Sequence, residues 1–242
     1  MEISNNPYLS IVITCFNEEK KIGRDIEAVS NFINKINKQV ELIIVDDRSS
    51  DNTVKIVKEK QKKYVWVELL AVEGNLHGKG VGLKKGIMAA SGKYIMFADA
   101  GLCVPYENAL VGLGDLKKGA DVAIGSRTHS KSTISRHQKW YRRLGSRLFW
   151  LLLKLFMGIP QDIKDTQCGF KIYTNKSAKA LYKNSFTPAF MIDIETILRA
   201  RKLNYNISQF PVTWRSDQDS RFNIFSGSIK NFKELWEIKK RI

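Results

Sequence analysis

Short apolar runs and amphipathic segments alternate along the first half of the chain. The apolar runs are rich in β-branched residues and predict strands at Leu9–Cys15, Glu41–Val45, Val65–Val72, Tyr94–Ala98 and Asp121–Gly125. Segments with the helical period lie between them, at Glu18–Ile36, Asn52–Lys62 and Gly80–Ala90. Strands separated by helices of ten or more residues are typical of βαβ units. The pattern therefore predicts an α/β fold with a mainly parallel sheet.

The second half of the chain has a different pattern. A basic segment follows Ser126 and leads into a predicted long amphipathic helix. After several mixed elements we expect a strand over Ile207–Trp214 and a terminal amphipathic helix from about Ser226. The chain carries no internal repeat and no low-complexity linker, so we interpret residues 1–242 as one domain.

Composition narrows the class of protein. The chain has 242 residues, 43% of them hydrophobic, which is enough for a full core. Its net charge of +16 favours nucleic acid, an anionic membrane surface or phosphorylated substrates as partners. We find no nucleic-acid motif and expect no nucleic-acid partner. Three scattered cysteines fit reduced thiols in a cytoplasmic protein, and no apolar run approaches the roughly 20 residues that span a bilayer.

Polar side chains follow three of the predicted strands. Ligands of open α/β sheets bind at the carboxyl ends of the strands. Asp99 directly follows a buried strand, where it is either a ligand for a cation such as Mg²⁺ or a turn residue. Asp47 is either an acceptor for the N–H groups of a nucleobase or part of a turn. For Ser50–Thr53 we favour turn and capping roles.

The segment Asn75–Gly80 follows a strand and opens a helix. Its glycines and Lys79 predict an anion site at the helix N-terminus, where the backbone approaches a phosphate closely. No Ser or Thr follows the lysine in the frame of a Walker motif. A lone glycine-rich turn is weak evidence for phosphate binding.

Eight basic residues and no acidic residue lie between Arg127 and Lys154. Part of this basic set recurs at helical spacing beside a stripe of apolar residues. These are Leu144, Leu148, Phe149, Leu151, Leu152, Leu155 and Phe156. Such a helix suits a membrane interface, with basic groups toward the headgroups. The alternative is a core-packing helix with a solvated basic edge, and the pattern leaves both open.

Two later segments hold polar residues in apolar surroundings. Asp165–Lys171 is polar and then apolar, and Asp193 and Glu195 lie within a helix-forming apolar stretch. Buried carboxylates are costly unless they are paired or functional. The pair is therefore either functional or part of a salt bridge, to Arg199 or Arg201.

Together these motifs resemble the family 2 glycosyltransferases with a GT-A fold, and within them the dolichyl-phosphate glucosyl- and mannosyltransferase branch. The resemblance runs in order over nearly the whole chain, through Ser10–Glu19, Leu42–Thr53, Gly78–Gly86, Tyr94–Pro105, Gly125–Arg127, Asp165–Tyr173, Ile192–Glu195 and Pro211–Trp214. It implies a nucleotide-sugar-binding half over 1–125 and an acceptor- and membrane-facing half over 126–242.

The resemblance implies inverting transfer of a hexose from a nucleotide sugar, of the UDP-glucose or GDP-mannose type, to a polyprenyl phosphate. The expected location is the inner face of the membrane, where the protein would associate peripherally with the anionic surface. The implied nucleotide-binding residues are Asn17, Glu19, Asp47 and Lys79. Asp99 would bind Mg²⁺ or Mn²⁺ on the diphosphate, and Gln167, Asp193 and Glu195 would line the sugar site. Arg127, with Arg142 or Arg143, would receive the acceptor phosphate.

The chain departs from the family at one motif. The family normally has Asp-X-Asp where this chain has Asp99-Ala100-Gly101, so the second carboxylate is missing. A phosphate acceptor attacks without a strong general base, whereas a hydroxyl acceptor would need Asp193 or Glu195 as base. The alternatives are therefore transfer to a glycan hydroxyl of a cell-surface polysaccharide, and a catalytically silent domain that binds nucleotide or membrane.

Overall fold

The computed structural model describes residues 6–136, 145, 148–216 and 224–242, with backbone only for residue 136 and residues 224–230. The strands are Leu9–Cys15 (β1), Val40–Asp46 (β2), Val67–Ala71 (β3), Tyr94–Ala98 (β4), Val122–Ser126 (β5), Thr133–Arg136 (β6), Phe170–Thr174 (β7), Ile207–Pro211 (β8) and Thr213–Arg215 (β9). The α-helices are Ile22–Ile36 (α1), Thr53–Lys63 (α2), Lys79–Ala89 (α3), Ala109–Lys117 (α4), Asn175–Lys183 (α5), Ile192–Lys202 (α6) and Ile224–Arg241 (α7).

A seven-stranded sheet with the order β3-β2-β1-β4-β7-β5-β8 forms the centre of the domain. Its strands are parallel except β7, which runs antiparallel to both β4 and β5. The predicted α/β fold with a mainly parallel sheet is confirmed. Because β7 runs in reverse, its first residues lie at the same edge as the carboxyl ends of its neighbours.

Helices cover both faces of the sheet. Alternate residues of β1 explain the two layers, since Leu9, Ile11 and Ile13 join the core with α1 and α4, whereas Val12 joins the core with α3, α5 and α6. All of these strand residues are buried, as expected for a parallel sheet covered on both faces. The rigid sheet edge between the two helix layers carries the candidate site.

Two predicted elements differ in the structure. The strand predicted over Ile207–Trp214 is two strands, because Pro211 has no N–H to continue the ladder, and Thr213–Arg215 pairs instead with β6. The basic segment after Ser126 does not lead directly into the long helix, since Thr133–Arg136 is β6. A helix over residues 148–152 runs into a π-helical turn at Leu153–Met157. Residues 137–144, 146 and 147 lie outside the described residues.

Candidate active site

Asp99 lies at the edge where β4 ends and β7 begins. Its N–H donates to Gly169 O at 2.9 Å. A Cβ on residue 169 would lie 1.7 Å from Asp99 Oδ2, so the carboxylate occupies the space beside that glycine. The side chain of Asp99 is still 45% exposed. The carboxylate is thus fixed on one side and open to solvent on the other.

Lys79 joins two of the predicted site carboxylates. Its ammonium lies 2.9 Å from Asp99 Oδ1 and 3.2 Å from Asp193 Oδ2, with a side chain only 12% exposed. Lys171 pairs with the other oxygen of Asp193 and donates to Cys168 O at 2.9 Å. Both ammonium groups lie over the ring of Phe97. Residues far apart in sequence therefore form one compact cluster of alternating charge.

The charges in this cluster stabilise one another. Burial alone disfavours the Lys79 ammonium, but the charges of Asp193 and Asp99 outweigh burial and raise the pKa of Lys79. Burial would likewise raise the pKa of Asp193, but Lys171 and Lys79 hold that pKa below its usual value. Lys79 and Asp193 are therefore both charged at neutral pH.

The turn after Asp99 rests on a buried carboxyl group. Gly101 has φ of 100° and Leu102 has φ of 52°, both in the left-handed region. The N–H of Gly101 donates to both carboxyl oxygens of Asp25, at 2.9 and 3.1 Å. Asp25 is fully buried, and burial raises its pKa to about 7.

The glycine-rich turn before α3 contacts protein where the sequence predicted a phosphate. The N–H groups of Gly80 and Val81 donate to Pro188 O at 2.9 and 3.2 Å. A Cβ on residue 80 would lie 2.0 Å from Thr187 O. The amides of Gly80 and Val81 therefore do not form the anion site that the sequence predicted, because Pro188 O already accepts from both of them. What the turn presents to the site is the Lys79 side chain.

Glu195 holds the loop that packs on this turn. Its carboxylate accepts from the N–H groups of Phe186 and Thr187, the latter at 2.8 Å, and pairs with Arg199 Nε at 2.7 Å. The salt bridge that the sequence left open is present. Among the described contacts, none brings Glu195 to Asp99 or Lys79, so Asp193 and Glu195 have separate structural roles.

The loops after β1 and β2 are tied together by two predicted nucleotide ligands. Asn17 Oδ1 accepts from Ser50 N–H at 2.6 Å, and Glu19 Oε2 accepts from Asn52 N–H at 3.0 Å. Asp47 lies beside them, and its Oδ1 is buried without a hydrogen-bond partner among the described residues. A buried acceptor of this kind is costly unless a ligand satisfies it.

Arg127 forms the opposite side of the site. Its Nε and Nη2 donate to the two oxygens of Asp165 at 2.8 and 2.7 Å, and its guanidinium lies over the ring of Trp214. Burial opposes the charge on Arg127, but Asp165 outweighs burial and raises the pKa of the guanidinium. The Nε2 of nearby Gln167 is buried without a partner among the described residues. Arg142 and Arg143 lie outside the described residues.

Three residues of this site were missed from the sequence. Asp165 and Lys171 lie in the very segment that was singled out, but only Gln167 was assigned a role there. Their signal was a charged residue beside a short apolar strand. Asp25 also had a signal, since it lies three residues after Ile22 and one before Ile26, on the apolar face of α1.

The described residues carry no group of three or more His, Cys, Asp or Glu side chains arranged to hold a metal ion. Within the same residues, none of the helices combines the length and the apolar character needed to cross a bilayer.

Curated relatives match almost the whole chain. A dolichyl-phosphate β-glucosyltransferase of Dictyostelium discoideum is 29% identical over 98% of this chain and 75% of its own length. The enzymes of that name from Saccharomyces cerevisiae and Homo sapiens are 29% and 28% identical, over 94% and 96% of this chain and 73% and 75% of their own lengths.

A solved structure has the same fold. Glucosyl-3-phosphoglycerate synthase of Mycobacterium tuberculosis, in complex with Mn²⁺, uridine diphosphate and phosphoglyceric acid, superimposes with a TM-score of 0.74. The match covers 96% of this chain and 78% of that one at 18% identity. The same enzyme was also solved with Mg²⁺ and uridine diphosphate. At this identity the match establishes the fold.

The family model named Glycosyl transferase family 2 matches residues 10–182, which include the β1 and β2 loops, Lys79, Asp99, Arg127 and the start of β7. The match spans well over half of the chain and agrees with the names of the curated relatives. This chain belongs to glycosyl transferase family 2.

Proposed function

We propose that this protein transfers glucose, with inversion, from a nucleotide sugar to a polyprenyl phosphate at the cytoplasmic face of a membrane. The observation that carries the proposal is a pair of buried polar atoms, Asp47 Oδ1 and Gln167 Nε2, for which the described part of the chain supplies no hydrogen-bond partner. The two atoms belong to the two sides of the charged cluster. The names of the curated relatives support glucose as the sugar and a lipid phosphate as the acceptor. UDP-glucose is the favoured donor and GDP-mannose the alternative.

The nucleotide occupies the side formed by β1 and β2 in this proposal. Asp47 Oδ1 accepts an N–H of the base, which removes the cost of a buried unpaired acceptor. Asn17 and Glu19 act by holding the two loops together, because their side-chain oxygens bond loop amides. Lys79 lies next to the diphosphate, and Gln167 donates to the sugar.

The family resemblance predicts that a divalent ion, Mg²⁺ or Mn²⁺, binds the diphosphate of the donor. Solved structures of the same fold contain one or the other. Among the described residues at this edge, the donor set is one carboxylate, Asp99, whose Oδ1 is already paired with Lys79. The second carboxylate of the family motif is replaced by Gly101. These residues fit a protein-held divalent ion poorly, so we assign no step of the transfer to one.

The acceptor phosphate binds at Arg127, with Arg142 or Arg143 as further cations. Asp165 holds two nitrogens of the guanidinium, which fixes its plane and leaves the N–H groups of Nη1 to donate to a phosphate. A phosphate monoester has a second pKa of about 6 and is mostly dianionic at neutral pH. Its oxygen forms the new bond to the anomeric carbon as the bond to the diphosphate breaks. The electron pair leaves with the nucleoside diphosphate, and no proton has to move.

Transfer to a hydroxyl is less well supported. A hydroxyl nucleophile needs a general base whose pKa lies near neutrality. Asp193 is paired with two lysines that hold its pKa low, and Glu195 is bonded to two amides and Arg199. Neither carboxylate is suited to take a proton. This chemistry favours a phosphate over a glycan hydroxyl as the acceptor.

An exposed apolar surface supports peripheral binding to an anionic membrane. Leu148 and Leu155 are 60% and 75% exposed, although the sequence allowed them to pack in the core. Phe156 stacks between Phe232 and Trp236 of α7, both about half exposed. We call this set of five residues the apolar face.

Basic groups border the apolar face. Lys239 lies 3.9 Å from the ring centroid of Phe156, and Lys154 lies over the ring of Trp150. Apolar groups with a basic margin suit the headgroup region, and anionic lipids are concentrated in the cytoplasmic leaflet. This arrangement supports binding at the inner face of the membrane.

The transfer reaction itself tests the proposal. Purified protein is incubated with a short polyprenyl phosphate and either UDP-glucose or GDP-mannose, and the lipid product is identified by mass spectrometry and NMR. We expect a β-linked hexosyl phosphate lipid, formed faster from UDP-glucose. Nucleotide binding without any transfer would identify a silent domain, and transfer only to glycan hydroxyls would identify the alternative enzyme. Either result would overturn the proposed function.

A further inference from the structure

The turn that follows Asp99 has a backbone conformation that disfavours a second carboxylate. Gly101 has φ of 100°, a conformation that residues with a Cβ rarely adopt, and its N–H is bonded to the buried Asp25. Leu102 continues the turn in the left-handed region. The absence of the second Asp of the family motif is therefore built into the backbone of the turn.

A lysine lies beside the carboxylate that remains of that motif. The Lys79 ammonium is 2.9 Å from Asp99 Oδ1, and Asp193 holds it from the other side at 3.2 Å. Two carboxylates in one turn repel each other and need a divalent cation, whereas one carboxylate is balanced by a single ammonium. The loss of one carboxylate and the presence of the lysine thus keep the local charge balanced.

Lys79 is also placed to meet a diphosphate. Its partner Asp99 is half exposed at the open edge of the sheet, whereas Lys171 is fully buried behind Asp193. The ammonium carries three donors, and two carboxylates and the Phe97 ring orient it. Lys171 adds a second positive charge that balances Asp193, so that Lys79 is shared between Asp99 and the ligand.

We propose that the ammonium of Lys79 takes the place of the divalent cation and stabilises the departing nucleoside diphosphate, so that donor binding and transfer do not require a metal ion. The inference rests on the proposed function, since it concerns the same diphosphate. As the bond from the anomeric carbon to the diphosphate oxygen breaks, the electron pair stays on that oxygen. Lys79 donates hydrogen bonds to the diphosphate and keeps all its protons.

Calorimetric titration of metal-stripped protein with UDP, and separately with GDP, tests this inference. Each titration is made in EDTA and again in millimolar Mn²⁺. For the wild type we expect the dissociation constants in the two conditions to differ by less than about fivefold. A larger loss of affinity in EDTA, restored by Mn²⁺, would overturn the inference and leave the proposed function intact. Failure to bind either nucleotide in both conditions would overturn the two together.

Two variants complete the test. Lys79→Met should weaken nucleotide binding by at least about thirtyfold in both conditions. Lys179→Met is the control, because Lys179 donates to Ile87 O and Met88 O at the end of α3 opposite to Lys79, and its nucleotide binding should be unchanged. Wild-type affinity in Lys79→Met would also refute the inference. The wild-type titrations remain a full test if Lys79→Met fails to fold.

Discussion

The carboxylate of Asp99 fills the space in which a side chain on residue 169 would have to lie. A Cβ there would come within 1.7 Å of Oδ2 and 2.1 Å of Cγ. The two residues are also joined through the backbone, since Asp99 N–H donates to Gly169 O at 2.9 Å. The glycine directly before β7 is therefore what allows Asp99 to reach Lys79 across the sheet edge.

Gly169→Ala should displace Asp99 and break its contact with Lys79. We expect the transfer rate to fall at least tenfold, roughly the effect of about 1.4 kcal/mol. The overlap should also cost about 1–3 kcal/mol of the free energy of unfolding. Gly114→Ala in α4 is the control, since its Cβ would meet nothing within 4 Å. That change should leave activity intact and raise stability by about 0.5–1 kcal/mol. Equal effects of the two changes on activity would argue against this reading of Gly169.

Gln167→Leu should separate activity from stability. The variant loses the buried amide donor that we assign to the sugar, so kcat/KM for the donor should fall at least tenfold. Because that donor has no partner among the described residues, its removal should leave the melting temperature equal or higher. Steady-state kinetics and calorimetry measure the two effects. A large drop in melting temperature together with unchanged kcat/KM would contradict the assignment.

Arg127→Lys should weaken binding of the acceptor phosphate and leave binding of the nucleotide donor unchanged. Lysine keeps the charge but cannot hold Asp165 and a phosphate with one planar fork. We expect KM for the polyprenyl phosphate to rise by about tenfold or more, with nucleotide affinity within about twofold of wild type. Arg201→Lys, where the arginine bonds the exposed Gly158 O, serves as the control. Unchanged acceptor kinetics in Arg127→Lys would remove this residue from the acceptor site.

Asp25 should make stability depend on pH. Burial raises its folded-state pKa to about 7 from an ordinary value of 3.8, so the folded protein binds this proton more tightly than the unfolded chain. The resulting stabilisation is complete below pH 4 and is lost as the pH rises through 7. Protonated Asp25 contributes up to about 4 kcal/mol to the free energy of unfolding at low pH.

Asp25→Asn isolates the pH-dependent contribution of Asp25 to stability, since asparagine keeps an acceptor for Gly101 N–H and carries no charge. Urea unfolding at pH 5 and pH 8 measures the difference between the variant and the wild type at each pH. The variant should gain stability relative to wild type as the pH rises. A constant difference would contradict the assignment.

Leu155→Glu should impair binding to anionic vesicles. The change places a negative charge on the apolar face, which opposes both insertion and attraction to the headgroups. Vesicle co-sedimentation should show that the affinity for anionic vesicles falls at least fivefold, which corresponds to about 1 kcal/mol of binding free energy. Val65→Glu is the control because Val65 is 97% exposed but precedes β3, at the opposite end of the strands from the site. Equal losses in the two variants would argue against the apolar face as the membrane contact.

Most of the sheet could be predicted because its strands are local patterns. The runs at Leu9–Cys15 and Tyr94–Ala98 have the predicted bounds, since each is a continuous apolar stretch between turn residues. The strand β7 was not predicted, because it is short and its pairing with β4 and β5 depends on residues far away in sequence. The helix α4 also went unpredicted, although its Ala109, Leu113 and Leu116 have helical spacing.

The candidate site was predictable as a set of residue types and less so as a set of contacts. Asp99, Lys79 and Asp193 were all singled out, but nothing local indicated that one ammonium joins the two carboxylates. Glu195 looked equivalent to Asp193 in the sequence. Two positions along a helix turn the side chain by about 200°, so the two carboxylates face different surroundings.

The acceptor phosphate is the central claim of the proposed function, and one comparison tests it most directly. Transfer of labelled glucose from UDP-glucose is measured to a short polyprenyl phosphate and to the polyprenol of the same length. The described part of the site has cations at Arg127 and Lys79, and neither Asp193 nor Glu195 is suited to act as a base. We therefore predict labelled lipid from the phosphate and at least about a hundredfold less from the alcohol. Equal transfer to the two lipids would contradict the account.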